Sequence, residues 1–369
     1  MRRFHFALFA LVLLVAQPLL ARTYYVGTCK AGAYPSIGAA VATVPSASII
    51  DVCPGTYPEQ VVISQPLTLQ GVASGGSAQA IITIPASGLT TTSSIVFGTV
   101  AAQVEVTAGP VNITGITVDG ATSSGCLDAP VVGIFYAGGS SGTLNEVETQ
   151  FQSCNTAGLG ILAENGSGTP TSVTIENSNT NLSGAAGIYV CGSGLDAKIK
   201  NNYLVENSGD AITTNCNGTA NVSGNVVNAL YGGPRSGILL MAPSSTVTGN
   251  TVTGAPIMPA ADGVVVSGNT VTASGAGIWV DGAAKVTSNH ISNGTFGIVI
   301  AVPGSTVQSN FISQEQIGIE FQCVTATVSG NTIAGSGENS PGTGFDKFPG
   351  TSTGTNKFYN VATLTTGCS

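Results

Sequence analysis

The sequence predicts an all-β solenoid, in which short parallel strands wind into a coil that a short N-terminal helix caps. Three observations lead to this fold class. An asparagine-centred motif recurs at intervals of 19 to 25 residues through the second half of the chain. A glycine-led segment of alternating apolar residues falls between successive copies of that motif. The composition disfavours helices, because Gly, Thr, Ser, Val and Asn are abundant and strong helix formers are sparse.

The composition and charge also exclude several classes of protein. The 369 residues are 43% hydrophobic, which is too apolar for a disordered chain. Only 8% of them are charged, against about 25% in a typical soluble domain. The net charge is −8 and the basic residues form no patch, so we expect no nucleic-acid partner.

The N-terminal residues 1–21 have the pattern of a secretory signal peptide. Arg2 and Arg3 form a basic region, and the apolar run 8–16 is too short to span a membrane. We predict cleavage after Ala21, which makes the protein secreted or periplasmic, with no membrane span after cleavage. An uncleaved anchor is the alternative. The mature chain keeps 8 of the 10 basic residues and all 18 acidic ones, so its net charge is −10.

The segment that follows the signal peptide predicts a cap. Ile37, Val41 and Val44 have helical spacing after Pro35, which indicates a short amphipathic helix over the open end of the core. We divide the mature chain into a cap with the first turns, a repeat region, and a C-terminal turn with a tail, at residues 22–75, 76–335 and 336–369.

The repeat motif is an apolar residue, two further residues, Asn, one residue and a second apolar residue. Stacked turns pair their backbones in parallel about 4.8 Å apart, so the same position of each turn forms a ladder. An Asn at one corner can hydrogen-bond to the turns on either side, and it tolerates the left-handed conformation that a sharp corner needs. We predict a structural role for Asn202, Asn225, Asn250, Asn269, Asn289, Asn310 and Asn331, with Asn155 and Asn177 as weaker upstream members.

The glycine-led segments predict a second strand in each turn. In GIYV, GILL, GIWV and GIEF the Ile and the fourth residue face the core, and the third residue faces out. Stacking puts these outward residues in one column: Phe135, Leu162, Tyr189, Thr213, Leu239, Trp279, Val299 and Glu320.

This outward column has two interpretations. Large apolar groups on an outer face need either a ligand or a cover. Aromatic rings suit the apolar faces of sugars, so we select Phe135, Tyr189, Trp279 and Glu320 as candidate substrate-binding residues. The alternative is that a loop covers the column, for example the insert between the corner Asn250 and Asp262.

The eight cysteines predict four disulfides in an exported chain. Cys191 and Cys216 are 25 residues apart and Cys126 and Cys154 are 28 apart, so each pair lies about one turn apart and within disulfide reach. The remaining pairs are then Cys29–Cys53, which ties the cap to the first turn, and Cys323–Cys368, which holds the tail. The mature chain has no CxxC motif and a single histidine, His290, so we expect no structural zinc site.

The asparagine-rich VxxNxI repeat resembles the right-handed parallel β-helix of the pectin-lyase-like superfamily. IIDVCPGTYPEQVVI and the following PLTLQG resemble the opening turns of pectin methylesterases and their non-catalytic relatives. The resemblance implies a right-handed coil and a polysaccharide or cell-surface glycan as partner. The esterase Asp-Phe-x-Phe-Gly segment is missing, and Asp119 has no Asp or Arg nearby in the sequence. Similar repeats occur in the copper-associated NosD-like family, but the scarcity of His and Met argues against copper.

The catalytic candidates are four charged residues whose roles stay open. SGDAITTNC resembles the Asp-pair segment of polygalacturonases, with Asp210 retained and Ala211 in place of the second carboxylate. Glycoside hydrolysis needs two carboxyl groups. Alignment of the repeats places Arg235 beside Asp210 on the neighbouring turn. It is either a catalytic arginine, as in a lyase, or an ion-pair partner of Asp210. Asp262 and Asp281 fall near the same corner of adjacent turns. They are either a catalytic pair or solvated turn residues.

We predict no cofactor, with calcium as an alternative. Glu146 and Glu148 share one strand face and could offer carboxylate ligands, although a solvated face explains them better. The sequence thus predicts a secreted, monomeric β-helix protein that binds a glycan or has a structural role at a surface, without an intact known catalytic set. The alternative is a polysaccharide lyase or glycoside hydrolase with an unfamiliar site.

Overall fold

The structure is a computed structural model that describes residues 21–72, 79–121, 129–152, 157–205, 207–229, 236–335, 342–349 and 354–368. These residues form one helix, α1 (Ile37–Val41), and strands that we number β1 to β40 in chain order. The chain winds as a parallel β-helix, because each turn contributes one strand to each of three long parallel sheets. The all-β solenoid that the repeats predict is confirmed.

Sheet A takes its strands from the first side of each turn. Its members are β1 (Thr23–Val26), β2 (Ser48–Val52), β5 (Leu67–Gly71), β9 (Val111–Thr114), β12 (Gly142–Asn145), β15 (Thr171–Glu176), β18 (Leu195–Lys200), β21 (Thr219–Ser223), β24 (Thr246–Thr248), β27 (Val265–Ser267), β30 (Lys285–Thr287), β33 (Thr306–Gln308) and β36 (Thr327–Ser329).

Sheet B follows sheet A after a sharp corner. Its members are β3 (Gly55–Pro58), β6 (Ala80–Thr83), β10 (Ile116–Asp119), β13 (Glu148–Gln150), β16 (Asn179–Asn181), β19 (Tyr203–Val205), β22 (Val226–Asn228), β25 (Thr251–Thr253), β28 (Thr270–Thr272), β31 (His290–Ser292), β34 (Phe311–Ser313), β37 (Thr332–Ala334) and β39 (Lys357–Tyr359).

Sheet C completes each turn and contains the glycine-led segments. Its members are β4 (Val61–Ile63), β8 (Gly98–Val106), β11 (Val131–Tyr136), β14 (Leu159–Asn165), β17 (Ala186–Gly192), β20 (Asp210–Asn215), β23 (Ile238–Leu240), β26 (Ile257–Pro259), β29 (Ala276–Val280), β32 (Phe296–Ile300), β35 (Ile317–Phe321), β38 (Gly342–Phe348) and β40 (Val361–Gly367). One further strand, β7 (Thr92–Ser94), pairs with β8 in the antiparallel sense.

The predicted N-terminal helix is present but shorter than its apolar spacing indicates. The Ser36 hydroxyl accepts a hydrogen bond from the Ala39 amide, and the Glu59 carboxylate accepts from the first two helical amides at 2.8 Å each. These bonds satisfy amide groups that a helix start leaves unpaired. Ile37 is fully buried over the core. Val44 is also buried but lies beyond the helix, because the residue before Pro45 disfavours the helical conformation.

The asparagine ladder lies at the corner between sheets A and B. At Asn289, the side-chain amide donates to the Val266 carbonyl at 3.0 Å and to Asn310 Oδ1 at 2.9 Å. Its own Oδ1 accepts from the backbone amide and the side-chain amide of Asn269, at 3.0 and 2.9 Å. The same arrangement recurs along the series, and the side chains are at most 1% exposed.

The left-handed conformation at this corner belongs to the residue before each ladder position, not to the ladder Asn. That preceding residue has a φ between 53° and 67° at Asn201, Gly224, Gly249, Gly268, Ser288, Ser309 and Gly330. Asn177 also has this conformation, so Ser178 takes the ladder position there and bonds Asn202. Asn356 extends the ladder at the other end, and Asn155 lies outside the described residues.

Three of the four predicted disulfides are present among the described residues. They are Cys29–Cys53, Cys191–Cys216 and Cys323–Cys368, with Cα–Cα distances of 5.6, 5.1 and 5.7 Å. Such bonds form in oxidising compartments. Cys126 and Cys154 lie outside the described residues. No helix in the described part of the chain is long and apolar enough to cross a membrane.

The fourth pair is open to a direct test. Because residues on adjacent turns lie within disulfide reach, we expect peptide mapping without reduction to recover a linked Cys126–Cys154 peptide beside the three observed links. A free thiol at either position, or a crossed link to one of the other six cysteines, would contradict the one-turn pairing.

Candidate functional site

The candidate site is the outer face of sheet C, where the strand register forms the predicted outward column. The pairs run Phe135–Leu162, Leu162–Tyr189, Tyr189–Thr213, Thr213–Leu239, Leu239–Met258, Trp279–Val299 and Val299–Glu320. Met258 is a member that the sequence motif missed, because Pro256 stands where the motif has Gly. Its strand β26 pairs with β23 and β29 as a regular member of sheet C. The insert after Asn250 is therefore part of the coil and not a covering loop.

A cover does exist, but it comes from an earlier part of the chain. Residues 84–99, which we call the cover segment, include β7 and fold over the start of the column. Phe135 and Leu162 are both 0% exposed in a cluster against which Phe97 packs. Phe135 therefore faces outward as predicted but is not available to a ligand, and we remove it from the candidate binding surface.

A buried carboxylate anchors the cover segment. Glu164 is 3% exposed, and its Oε1 accepts from the Ser94 hydroxyl at 2.6 Å. Its Oε2 accepts from the Ile95 amide at 2.9 Å. On the other side of the segment, Gln60 exchanges hydrogen bonds of 2.9 and 3.0 Å with the backbone of Thr90. These contacts attach the middle of the segment, between Thr90 and Ile95, to two turns of the coil, so the cover is a fixed part of the face.

Tyr189 is the first side chain of the column that the cover leaves partly exposed. Its ring meets the Phe97 ring at 68°, with 5.3 Å between centroids. Its hydroxyl accepts a hydrogen bond from Asn215 Nδ2 at 2.8 Å. Burial raises the pKa of Tyr189; the Asn215 hydrogen bond opposes this, and the Glu164 and Asp210 charges add to it. The phenol is therefore a hydrogen-bond donor at neutral pH.

Asp210 lies one turn beyond Tyr189, at the start of β20. Its Oδ2 accepts from the Thr213 hydroxyl at 3.2 Å. Ala211 packs in the hydrophobic core, so a second carboxylate at that position would be buried and would not face a substrate. Arg235 lies outside the described residues.

The central part of the column stays half-buried and open. We use the name open strip for Tyr189, Leu239, Met258 and Trp279, all of intermediate exposure. The strip spans four turn-to-turn steps, or about 19 Å. Thr213 lies within it but is 2% exposed.

The column closes again towards the C-terminus. Val299 is 0% exposed and Glu320 is 6% exposed. Glu320 Oε1 lies 2.6 Å from the Lys347 ammonium, so its charge is already paired. The prediction that Glu320 contacts a ligand therefore needs a correction, because the C-terminal strand β38 brings Lys347 over it.

Asp262 and Asp281 share a corner but do not form a facing pair. The register of β26 and β29 places Asp281 beside Ala260, and the Asp281 amide bonds the Pro259 carbonyl at 3.0 Å. Asp262 Oδ1 instead accepts from the Ala283 amide at 2.8 Å. Both side chains are exposed, which fits turn residues.

Glu146 and Glu148 line a polar groove of about 300 Å³ beside sheet B. Thr117, Asn177 and Asn179 also line it. Glu146 is an exposed turn residue with a φ of 53°. Within the described ranges, no three His, Cys, Asp or Glu side chains are grouped so that they could hold a metal ion.

Two families of known proteins match parts of this chain in sequence, and the description of one of them names the fold of the structure. Residues 101–275 match the family described as right handed beta helix region, and residues 205–360 match the family described as periplasmic copper-binding protein (NosD). No curated protein matches the chain in sequence.

Several solved structures have a fold similar to that of this chain. A PL6 alginate lyase in complex with a trisaccharide has a TM-score of 0.64 at 12% identity, over 93% of this chain and 86% of that one. The GH136 lacto-N-biosidase from Eubacterium ramulus has a TM-score of 0.60 at 10% identity, over 92% and 68%. The A-module of a mannuronan C-5 epimerase from Azotobacter vinelandii has a TM-score of 0.52 at 17% identity, over 87% and 94%. At these identities the likeness concerns the fold alone.

Among the described residues that match the copper-binding family, the cysteines and the histidine are not grouped as copper ligands. Copper prefers thiolate, thioether and imidazole ligands. Cys216 and Cys323 are in disulfides, and His290 is exposed on sheet B with its ring stacked 4.9 Å from Phe311. Met258 lies on sheet C and accepts a contact from the Ser236 hydroxyl at 3.8 Å.

Proposed function

From the right-handed parallel β-helix, pectin-lyase-like fold of this chain, we propose that it is an exported protein that binds a neutral glycan on the outer face of sheet C. The observation that supports this most is the open strip, a row of apolar and aromatic side chains left half-buried between two closed ends of one face. Sugar rings present apolar faces to such side chains, and their hydroxyl groups pair with flanking polar groups such as Asn215 and the Tyr189 phenol.

The charge of the protein favours a neutral ligand over an acidic one. The whole chain has a net charge of −8, and Glu164 and Asp210 flank the start of the open strip. Lys347, near its other end, is paired with Glu320. An acidic polysaccharide would therefore be repelled by the net charge of the protein and by the two carboxylates at the start of the strip.

A polysaccharide-cleaving enzyme is the second candidate, and Tyr189 favours it. The Tyr189 phenol and the Asp210 carboxylate are close enough to interact electrostatically, so one face offers a neutral hydrogen-bond donor and a candidate base. A glycosidase needs two carboxyl groups for catalysis. Glu164 is already bonded to Ser94 and Ile95, so binding remains the better-supported function.

Trp279 offers a direct test, because it is the one tryptophan of the chain and lies in the open strip. We expect one of the hexaoses of xylan, mannan, laminarin, chitin or cellulose to shift its emission and protect it from iodide quenching. Trp279→Ala should weaken binding of that hexaose by about tenfold or more in calorimetry, because stacking is lost.

The control for Trp279 is an aromatic ring on another face. Tyr203 is 46% exposed on sheet B, so Tyr203→Ala should leave the affinity unchanged. Equal losses from both variants, or no binding of any of the five hexaoses, would contradict a glycan site on sheet C.

The binding function also predicts a lack of turnover. Incubation with the same glycans, pectin or polygalacturonate should release no reducing ends or methanol beyond a blank, because the described face offers no unengaged carboxylate pair. Product release that Asp210→Asn abolishes and Asp281→Asn does not would establish the enzyme instead.

A further inference from the structure

We propose that the cover segment makes the open strip specific for the end of a glycan chain, so that it excludes internal segments of a polymer. This inference rests on the proposed function. Residues 84–99 would then be a specificity element, and the terminal sugar unit would lie against Tyr189.

The first argument is steric. A glycan that follows the column away from Trp279 meets the Phe97 ring at Tyr189, where the two ring centroids are 5.3 Å apart. Beyond that point Phe135 and Leu162 are completely buried, so the column offers no surface for a further sugar unit. A polymer bound through an internal segment would have to leave the face at this wall.

The second argument is that the wall is fixed. The Glu164 carboxylate holds the segment through Ser94 and Ile95, and Gln60 holds it through Thr90. The Glu105 carboxylate accepts a further hydrogen bond from the Thr92 hydroxyl at 2.8 Å. A loose segment would move aside for a polymer, whereas these contacts tie it to three different turns of the coil.

The third argument is chemical. A terminal sugar unit has one more hydroxyl group than an internal unit, and that group needs a polar partner when it is buried. Tyr189 and Asn215 supply polar groups at the wall. The Tyr189 hydroxyl accepts from Asn215, and no described residue accepts its own proton, so it can donate to a sugar oxygen.

The opposite end of the strip is consistent with this geometry. Val299 is fully buried, and Lys347 reaches over Glu320 on the next turn. The face therefore has space for a short stretch of sugars over about 19 Å, and not for a polymer that continues in both directions.

Stoichiometry tests the inference. The probe is the hexaose that binds in the Trp279 assay, together with fractions of the same polymer of two and four times its length, titrated by calorimetry against the full chain. We expect one protein to bind per glycan chain at every length. A number of bound proteins that grows with chain length would overturn the inference and leave the proposed function intact, whereas no binding of the hexaose would overturn both.

Two variants of the cover segment and one of its anchor test whether the segment causes that result. Phe97→Ala removes the ring that meets Tyr189, so more than one protein should bind each of the longest chains. Ile95→Ala is the matched control, because that side chain is 57% exposed and alanine keeps the backbone amide that bonds Glu164, so one protein per chain should remain. Glu164→Gln weakens the anchor of the segment, so it should also allow more than one protein to bind each of the longest chains. One protein per chain in both Phe97→Ala and Glu164→Gln, with unchanged melting temperatures, would overturn the role of the cover segment.

Discussion

Replacing Asn289 with alanine should lower the free energy of unfolding by about 4 kcal/mol. The side chain takes part in four hydrogen bonds, with the Val266 carbonyl, with Asn310 and with two groups of Asn269. Alanine makes none of them and leaves buried donors and acceptors on both neighbouring turns without partners. Denaturant unfolding followed by circular dichroism measures the loss.

The matched control for Asn289 is an asparagine outside the ladder. Asn221 is exposed on the outer face of sheet A, so Asn221→Ala should change stability by less than about 0.5 kcal/mol. Similar losses in the two variants would mean that asparagine acts here through general turn propensity and not through the ladder.

Replacing Glu315 with glutamine should stabilise the protein at neutral and higher pH. Glu315 is 3% exposed at the corner between β34 and β35, and its carboxylate lies near the Gly294 amide without forming a hydrogen bond of normal geometry. Burial raises the pKa of this carboxyl from 4.5 to about 7, an effect that the nearby Gly294 amide partly opposes.

The pH dependence of that effect has a definite sign. In the pH window between 4.5 and about 7, the folded carboxyl holds a proton that the unfolded one has lost. The native protein therefore loses stability as pH rises through that window and remains less stable at higher pH. Glu315→Gln removes the ionisation, so we expect a gain of about 2 kcal/mol near pH 8 and little change near pH 4.

Thermal unfolding across this pH range measures the effect of Glu315→Gln. Glu146→Gln is the control, because Glu146 is an exposed carboxylate and its replacement should leave the shape of the profile unchanged. A wild-type profile that is flat between pH 5 and 8, or that rises, would show that Glu315 is ionised in the folded protein without cost.

Much of the architecture could be predicted from the sequence because the coil is periodic. A feature that repeats once per turn must stack on its copies, so the spacing of Asn269, Asn289 and Asn310 was enough to predict the ladder. The same reasoning gave the order of the outward column on sheet C except for Met258, and it paired Cys191 with Cys216. These are relations between equivalent positions of adjacent turns, and the period alone defines them.

The accessibility of the candidate site depended on contacts between residues that do not occupy equivalent positions of adjacent turns. Nothing in the motif around Phe135 indicates that it is buried, because the cover segment that buries it precedes it by more than thirty residues in the chain. The contacts of Glu164 could not be predicted from the repeat either, because its partners Ser94 and Ile95 are 70 and 69 residues away in the chain. Lys347 reaches Glu320 from the C-terminal strands.

The sequence by itself determined the coil, its corner ladder and which side chains face outward, because strand alternation and stacking are local rules applied once per turn. The tertiary structure alone decided which outward side chains stay accessible. Accessibility depends on what lies over a residue, and here the covering groups, the cover segment and Lys347 of β38, are not part of the asparagine or glycine-led motifs. The difference between Phe135, which is buried, and Tyr189, which borders the open strip, is therefore a property of the folded chain.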